Sequence, residues 1–389
     1  MKMLTVAVVG LGNMGSAHAA CIAAGEVEGM TLTAVCDVQK KRVDAFLQAH
    51  PNVKGYEDYT ALLCEKAADA VILAVPHPMH ADMAVSALEK GFHVLLEKPV
   101  DVSVSKAEKL NAAAAKSDRV FGIMFNQRTN PLFGKAREIV KSGALGELKR
   151  TGWTVTNWYR TQYYYDSGAW RATWAGEGGG VLLNQAPHQL DLWQWICGMP
   201  VSVAAYCPVA KYHRIEVEDE ATIFVRYKNG ATGTFITSTG ESPGTNRLEI
   251  AGTLGKLVLE EGKLKWWRLR EDERTVCQKK QQNSVKIPFD YEELLQTEKE
   301  SGHKGILQNF ADAVSVGAPL LAPGTDGIFE LTLSNAAYLS AWEGKEVALP
   351  FDPAAFDEKL AALAKTSKHR NDGTAEQNGT YSPRWQVNW

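Results

Sequence analysis

The first 125 residues alternate short apolar runs with stretches whose apolar positions recur every three to four residues. Residues 4–9, 32–36, 70–75, 93–96 and 120–124 are almost wholly apolar, and segments 41–49, 82–90 and 105–115 between them carry good helix formers. Strands apolar on both faces and separated by helices predict a parallel sheet covered on each side. Gly91 stands where a helix C-terminal glycine belongs. From about Leu148 the period shortens to two, at residues 221–227, 231–237, 247–250 and 256–259, which predicts a second, antiparallel sheet. Between the first two of these runs, Asn229-Gly230 predicts a type I′ hairpin turn with positive φ at both positions. Helical spacing returns at 306–316 and 329–342, after which residues 365–389 are polar. The pattern divides the chain into a parallel-sheet domain over 1–125, a second α/β domain with an open, largely antiparallel sheet over 126–364, and a tail over 365–389. Tyr381, Trp385 and Trp389 recur at four-residue intervals, so the tail is expected to dock on its own or a neighbouring subunit rather than expose two tryptophans.

Bulk properties narrow the function classes. A chain of 389 residues exceeds what one core usually supports, in agreement with two domains. With 45% hydrophobic and 22% charged residues it is neither disordered nor fibrous in composition. Its formal net charge is −3 and its densest basic cluster, Lys40, Lys41 and Arg42, suits a solvated helix face, so neither nucleic acid nor a membrane surface is an expected partner. No apolar stretch approaches the ~18–20 residues of a membrane span, and residues 5–9 lead into a glycine-rich turn rather than a cleavage site. A cytoplasmic protein is expected. The six cysteines are far apart, contain no C-x-x-C pair and read as reduced core residues, with no metal site.

Gly10, Gly12 and Gly15 form G-x-G-x-x-G, with Asn13 and Met14 inside it, directly after the first apolar run and before a small-residue helix. A bare triplet of glycines is often an ordinary turn. Here the first allows a tight turn, the second a close approach to a pyrophosphate, and the third close helix packing, with the helix N-terminus facing the phosphates. Asp37 ends the second run, where an acid receives the ribose hydroxyls and repels a 2′-phosphate, so NAD is favoured; Lys40 and Arg42 keep NADP as the alternative. The first domain is therefore read as a Rossmann dinucleotide-binding domain. Pro76 and His80 follow the third main strand, at the ligand-binding end of such a sheet, although packing against the next helix is the plainer role for His80. Glu97-Lys98-Pro99 follows the fourth, placing Lys98 where nicotinamide should lie, with Pro99 restricting Lys98 to extended backbone. Desolvation beside the positive ring would lower the lysine pKa.

A second constellation begins at Gly178-Gly179-Gly180. Asn184, His188 and Asp191 follow at four- and three-residue spacing, which on one helix brings three side chains to one face; a polar face with a satisfied histidine is the plainer alternative. Upstream, residues 157–174 are dense in aromatics and arginine, with Tyr159, Arg160, Tyr163, Trp170 and Arg171 as candidate contacts. Aromatic faces cover the C–H side of a pyranose while arginines bind its hydroxyls, although such rings also build cores and subunit interfaces. Asn126 and Arg128, at the exit of the last parallel strand, are further candidates.

In this order, the three motifs resemble those of the glucose-fructose oxidoreductase, inositol dehydrogenase and rhizopine-catabolism (Gfo/Idh/MocA) family, over residues 4–350. The resemblance implies a Rossmann domain followed by an α/β domain whose open sheet supports a homo-oligomer, a dimer or tetramer. It also implies that Lys98 and His188 flank the reacting carbon while Asn184 orients substrate. Many members carry aspartate where this chain has Asn184, which leaves proton transfer to Lys98, His188 or both. The expected activity is NAD-dependent interconversion of a ring hydroxyl, by preference the 3-hydroxyl, and a ketone on a sugar, glycoside or anhydrosugar. The alternatives are a glycosidase or lyase that oxidises transiently and recycles its cofactor, and a non-catalytic dinucleotide-binding regulator, which the presence of both Lys98 and His188 disfavours.

Overall fold

The computed structural model describes residues 3–168, 170–279, 282–297 and 300–367. Six parallel strands form the first sheet: β1 Leu4–Val9, β2 Met30–Cys36, β3 Lys54–Tyr56, β4 Ala70–Leu73, β5 His93–Leu96 and β6 Phe121–Ile123. Their order is β3-β2-β1-β4-β5-β6, so the winding direction reverses between β1 and β4. Loops leaving the carboxyl ends of those two strands diverge and open the crevice in which such sheets bind ligands. Every residue of β4 is completely buried, as a strand covered by helices on both faces requires. β3 has only three residues, too short for any periodicity to announce it.

The second sheet has nine strands: β7 Leu148–Val155, β8 Ser202–Tyr206, β9 Glu220–Arg226, β10 Thr232–Ser238, β11 Asn246–Gly252, β12 Gly255–Glu260, β13 Lys263–Leu269, β14 Phe289–Leu295 and β15 Val347–Ala348. Their order is β14-β13-β12-β11-β7-β10-β9-β8-β15, antiparallel at every pairing but the parallel β7–β10. Along β9, buried Ala221, Ile223 and Val225 alternate with exposed Thr222, Phe224 and Arg226, the signature of a sheet with one covered face. On the covered face Phe235 stacks with Trp193 from the helix Pro187–Cys197 and meets Trp153 edge-on.

The β9–β10 hairpin is present, but its turn differs from the one expected. Gly230 has φ +86° and Asn229 stays at negative φ, while Tyr227 and Ala231 close the loop through an N–H···O bond of 2.8 Å. Three residues, 228–230, therefore turn the chain, with glycine taking the left-handed position of a bulge. A bond of 3.1 Å from Ala231 N to Asn229 Oδ1 supports that geometry.

Residues beyond 300 return to the first sheet. Ile123 N donates to Ala322 O at 3.1 Å, and Asn335, in the helix Gly327–Glu343, accepts from Val104 N and donates to Val102 O, each at 3.1 Å. The helix Gly302–Val316 packs beside β1. The two sheets thus share a continuous apolar core, which fixes the second half of the molecule against the first. All six cysteines are free, and Cys36 and Cys197 are buried; Cys64 and Cys277 are exposed, against expectation, on the solvent sides of the short helices Tyr59–Glu65 and Glu273–Lys279. Among the described residues no helix is long and apolar enough to cross a membrane, and no cluster of metal ligands occurs. The last helix among the described residues, Pro353–Thr366, ends near the start of the tail; Tyr381, Trp385 and Trp389, expected to dock, lie outside the described residues.

Candidate active site

The cofactor side is built from main chain. A Cβ on Gly10, at φ +88°, would lie 2.3 Å from Ala74 O, and one on Gly15 would lie 1.7 Å from Gly10 O, so neither position accepts a side chain. Nothing lies within 4 Å of a Cβ at Gly12, the open side of the turn. The helix Asn13–Ala23 starts there, with Asn13 and Met14 in its first turn, no side-chain cap and no early acid. Its free N–H groups and positive dipole end suit a pyrophosphate. Asp37 is buried at the end of β2; its Oδ2 accepts from Leu11 N at 2.7 Å and its Oδ1 from Gln39 N at 2.8 Å. These residues fit a dinucleotide with an unphosphorylated ribose. Arg42, half-exposed, reaches Asp37 Oδ2 at 3.4 Å.

Pro76 leads from β4 into a single 3₁₀ turn, His77–Met79. His80 is buried, with Nδ1 2.6 Å from Pro99 O and Nε2 2.8 Å from Val75 O, so it ties the loop after β4 to the loop after β5. Glu97 is likewise enclosed, its Oε1 2.7 Å from His18 Nε2 and its Oε2 accepting from Lys98 N at 3.2 Å. Burial alone would raise its pKa, but the bond to His18 and the charges of His18, His303 and Lys98 hold the carboxyl at about 2. Glu97 and, through Pro99 O, His80 therefore fix the main chain on which Lys98 stands.

Lys98 Nζ crosses to the other half of the molecule and donates to Asn184 O at 2.8 Å. Burial lowers its pKa, opposed by the nearby carboxylates of Glu97, Glu330 and Glu177. Asn184, His188 and Asp191 do not share one helix, contrary to the spacing argument. Asn184 closes a single turn, Val181–Asn184, and Pro187 starts the next helix, Pro187–Cys197. Proline has no N–H to continue the first turn, so the chain breaks before it. His188 faces the Lys98 side: burial, then the charges of Lys98 and His303, push its pKa well below the ordinary value, and its buried Nδ1 has no partner among the described residues.

Asp191 turns away. It accepts from Arg128 Nη2 at 2.7 Å and Nε at 2.8 Å, and both side chains are about 1% exposed. Arg128 also donates to Leu321 O at 3.1 Å and Asp326 Oδ2 at 2.8 Å. This pair, proposed from sequence as substrate contacts, is placed inside the scaffold under the cleft. Asn126 begins the adjoining 3₁₀ turn, with a buried Oδ1 that has no partner among the described residues.

The aromatic segment divides between cleft and core. Tyr159 and Tyr163 are about half exposed, and Arg160 lies over the rings of Tyr164, at 5.1 Å, and Trp158, at 5.7 Å. Arg171 is held between Tyr164 and Trp170, 4.6 Å from each, and donates to Tyr164 Oη at 2.8 Å. Trp170 meets His77 edge-on at 5.9 Å, joining this segment to the loop after β4. Trp158, Tyr165 and Trp174 are buried and belong to the core.

Several residues of the site have no sequence signal of their own. Glu177, 2% exposed, accepts from Ala172 N at 2.6 Å and from Asn184 Nδ2. Gln185 Nε2 donates to Tyr164 Oη and Asn184 Oδ1, each at 3.1 Å. Glu218 accepts from Gly180 N at 3.0 Å, Leu182 N at 2.9 Å and Tyr338 Oη at 2.7 Å. Burial pushes its carboxyl up to about 7. A Cβ on Gly179 would meet Tyr338 Oη at 2.2 Å, and one on Gly180 would meet Glu218 O at 1.9 Å, which explains the consecutive glycines.

Residues 4–125 match the oxidoreductase family with an NAD-binding Rossmann fold, GFO_IDH_MocA, and residues 133–258 match the GFO/IDH/MocA C-terminal domain. The chain is 25% identical over 348 residues to scyllo-inositol 2-dehydrogenase (NAD(+)) of Bacillus subtilis, covering 88% of this chain and 95% of that protein. Levoglucosan dehydrogenase of Pseudarthrobacter phenanthrenivorans is 25% identical over 301 residues, 66% of this chain and 74% of its own. Among solved structures, the WlbA dehydrogenase of Chromobacterium violaceum, in complex with NADH and UDP-GlcNAcA, superposes with a TM-score of 0.78 at 26% identity, covering 90% of this chain and 97% of that one.

Proposed function

The chain belongs to the Gfo/Idh/MocA family of NAD-dependent oxidoreductases, and from that premise we propose that it oxidises a ring hydroxyl of a sugar, glycoside or anhydrosugar to a ketone, or catalyses the reverse reduction. One observation carries the reading: Lys98, at the carboxyl edge of the nucleotide-binding sheet, reaches 2.8 Å from Asn184 O, beside the half-buried His188 of the other half. Polar groups from both halves thus meet where the cradle would present its dinucleotide. The names of the relatives, inositol, levoglucosan and a nucleotide-linked sugar acid, share a ring carbon bearing hydrogen and hydroxyl.

Bound NAD supplies the hydride acceptor. Lys98 and His188 then manage the hydroxyl proton: a neutral imidazole can accept it, while Lys98 orients and stabilises the developing alkoxide. Asn184, with Asn126 and Arg171, would fix neighbouring hydroxyls, while Tyr159, Tyr163 and Trp170 cover the apolar face of the ring. The equatorial 3-hydroxyl of a glucoside is the preferred target. A homo-oligomer belongs to the same proposal, formed through the open face of the nine-stranded sheet, where Phe224 is 41% exposed. Free cysteines favour a reducing cytoplasm.

The test uses glucosides deuterated at single ring positions. Deuterium from carbon 3 should appear in the reduced nicotinamide; label from another carbon would overturn the 3-hydroxyl assignment. Glycoside cleavage without accumulated NADH would favour transient oxidation instead.

A further inference from the structure

Glu177 lies outside every motif, yet it touches two separate segments of the cleft wall. One oxygen, Oε2, accepts from Ala172 N at 2.6 Å, and the other, Oε1, accepts from Asn184 Nδ2. Ala172 has φ +52°, a left-handed conformation that alanine adopts at a cost, so its N–H direction needs an anchor. The adjoining Arg171 holds Tyr164 Oη at 2.8 Å, and the main chain of Asn184 receives Lys98 Nζ.

We infer that Glu177 is a positioning residue that fixes the polarity of the Asn184 amide, so that its oxygen rather than its NH2 faces the substrate. Both Glu177 oxygens accept, Oε2 from Ala172 N and Oε1 from Asn184 Nδ2, so the group that Asn184 turns toward Glu177 is its donor. Oδ1 is thereby turned toward the cleft donors, 3.1 Å from Gln185 Nε2 and 3.4 Å from Tyr164 Oη. A substrate hydroxyl that takes the place of the longer of these two bonds, the one from Tyr164 Oη, donates to Asn184 Oδ1. Burial raises the Glu177 pKa, opposed by the charge of Arg171, the hydrogen bonds from Ala172 N and Asn184 Nδ2, and the charge of Lys98. The inference rests on the reading of the cleft as a sugar site, since it assigns the hydrogen-bond direction of one substrate hydroxyl.

Glu177→Gln tests it. The introduced amide must keep its oxygen on Ala172 N, which leaves its NH2 facing Asn184; the Asn184 amide then turns over and presents a donor to the cleft and to Gln185 Nε2. kcat/KM for whichever sugar the unmodified protein oxidises should fall at least ~10-fold, with NAD affinity unchanged. Adding Asn184→Asp restores an acceptor, because the new carboxylate accepts a hydrogen bond from the new amide through one oxygen and turns its second oxygen outward. This double variant keeps the net charge and should regain at least half of the lost factor on a logarithmic scale. Glu177→Gln within ~2-fold of the unmodified protein, or a folded double variant no better than Glu177→Gln, overturns the inference. If Glu177→Gln does not fold, the double variant decides alone: more than a tenth of normal kcat/KM supports the inference and less overturns it.

A second readout needs no substrate. The side-chain NH2 protons of Asn184, assigned by their loss in Asn184→Asp, should be protected from exchange in the unmodified NAD complex and unprotected in Glu177→Gln. Equal protection in both overturns the inference even if no sugar is oxidised. Failure of the sugar reading shows separately, as absence of turnover by the unmodified protein.

Discussion

The two walls proposed for the site are built by different means. On the nucleotide side the proposed contacts are mostly main-chain, from the turn at Gly10 and Gly15, which admit no Cβ, and an uncapped helix end, with the Asp37 carboxylate fixed by two backbone N–H groups. On the substrate side they are side-chain networks assembled from distant segments, with Tyr164, Arg171, Glu177, Asn184 and Gln185 sharing hydrogen bonds. A backbone cradle can be carried by a short motif, because a few neighbouring residues determine its geometry. A network becomes visible only once the fold brings its members together.

Substitutions that separate scaffold from ligand contact sharpen this comparison most. Arg128→Met would leave Asp191 buried without its partner, and unfolding free energy should drop by about 3–5 kcal/mol, read from denaturant melts. A normal melt with a raised KM would return Arg128 to the substrate wall. Next come Lys98→Met and His188→Ala, each expected to cut turnover at least ~100-fold while leaving folding and NAD affinity nearly intact. Near-normal turnover in either folded variant would remove that residue from the chemistry. Asp37→Ala, on the main-chain wall, should weaken NAD by about 1–3 kcal/mol in calorimetric titration and narrow its advantage over NADP. Tighter NADP than NAD binding by the unmodified protein would contradict the role given to Asp37.

The smallest effect concerns Glu218, which clamps the glycine turn. Its carboxyl is raised to about 7, so the folded protein favours the protonated form. That contribution is present in full below the ordinary carboxyl range and is lost as pH rises through about 7. Glu218→Gln should therefore flatten the fall in melting temperature between about pH 5 and 8. An unchanged slope would show that Glu218 does not titrate there.

Legibility in the sequence follows the same division. The parallel strands stand out because burial on both faces makes them continuously apolar, and the G-x-G-x-x-G turn and Lys98 follow from their ends. Strand β15, only two residues long, carries no period of its own. Spacing put Asn184 on the helix of His188 and Asp191, although Pro187 starts that helix after it; it did not show that Asp191 pairs with Arg128, and it missed Glu177, whose partners Ala172 and Asn184 come from a loop and a single turn. The cleft aromatics were visible as a dense segment, but not which of them would turn inward: Tyr165 is 3% exposed and Tyr163, two positions earlier, 56%.

The most direct test of the central claim is NADH formation by the purified protein across inositols, levoglucosan, simple glucosides and a nucleotide-linked sugar acid. The account predicts that at least one ring alcohol yields NADH and ketone in equal amounts, with the signal lost in Lys98→Met. NAD binding without NADH from any member of the panel would contradict it.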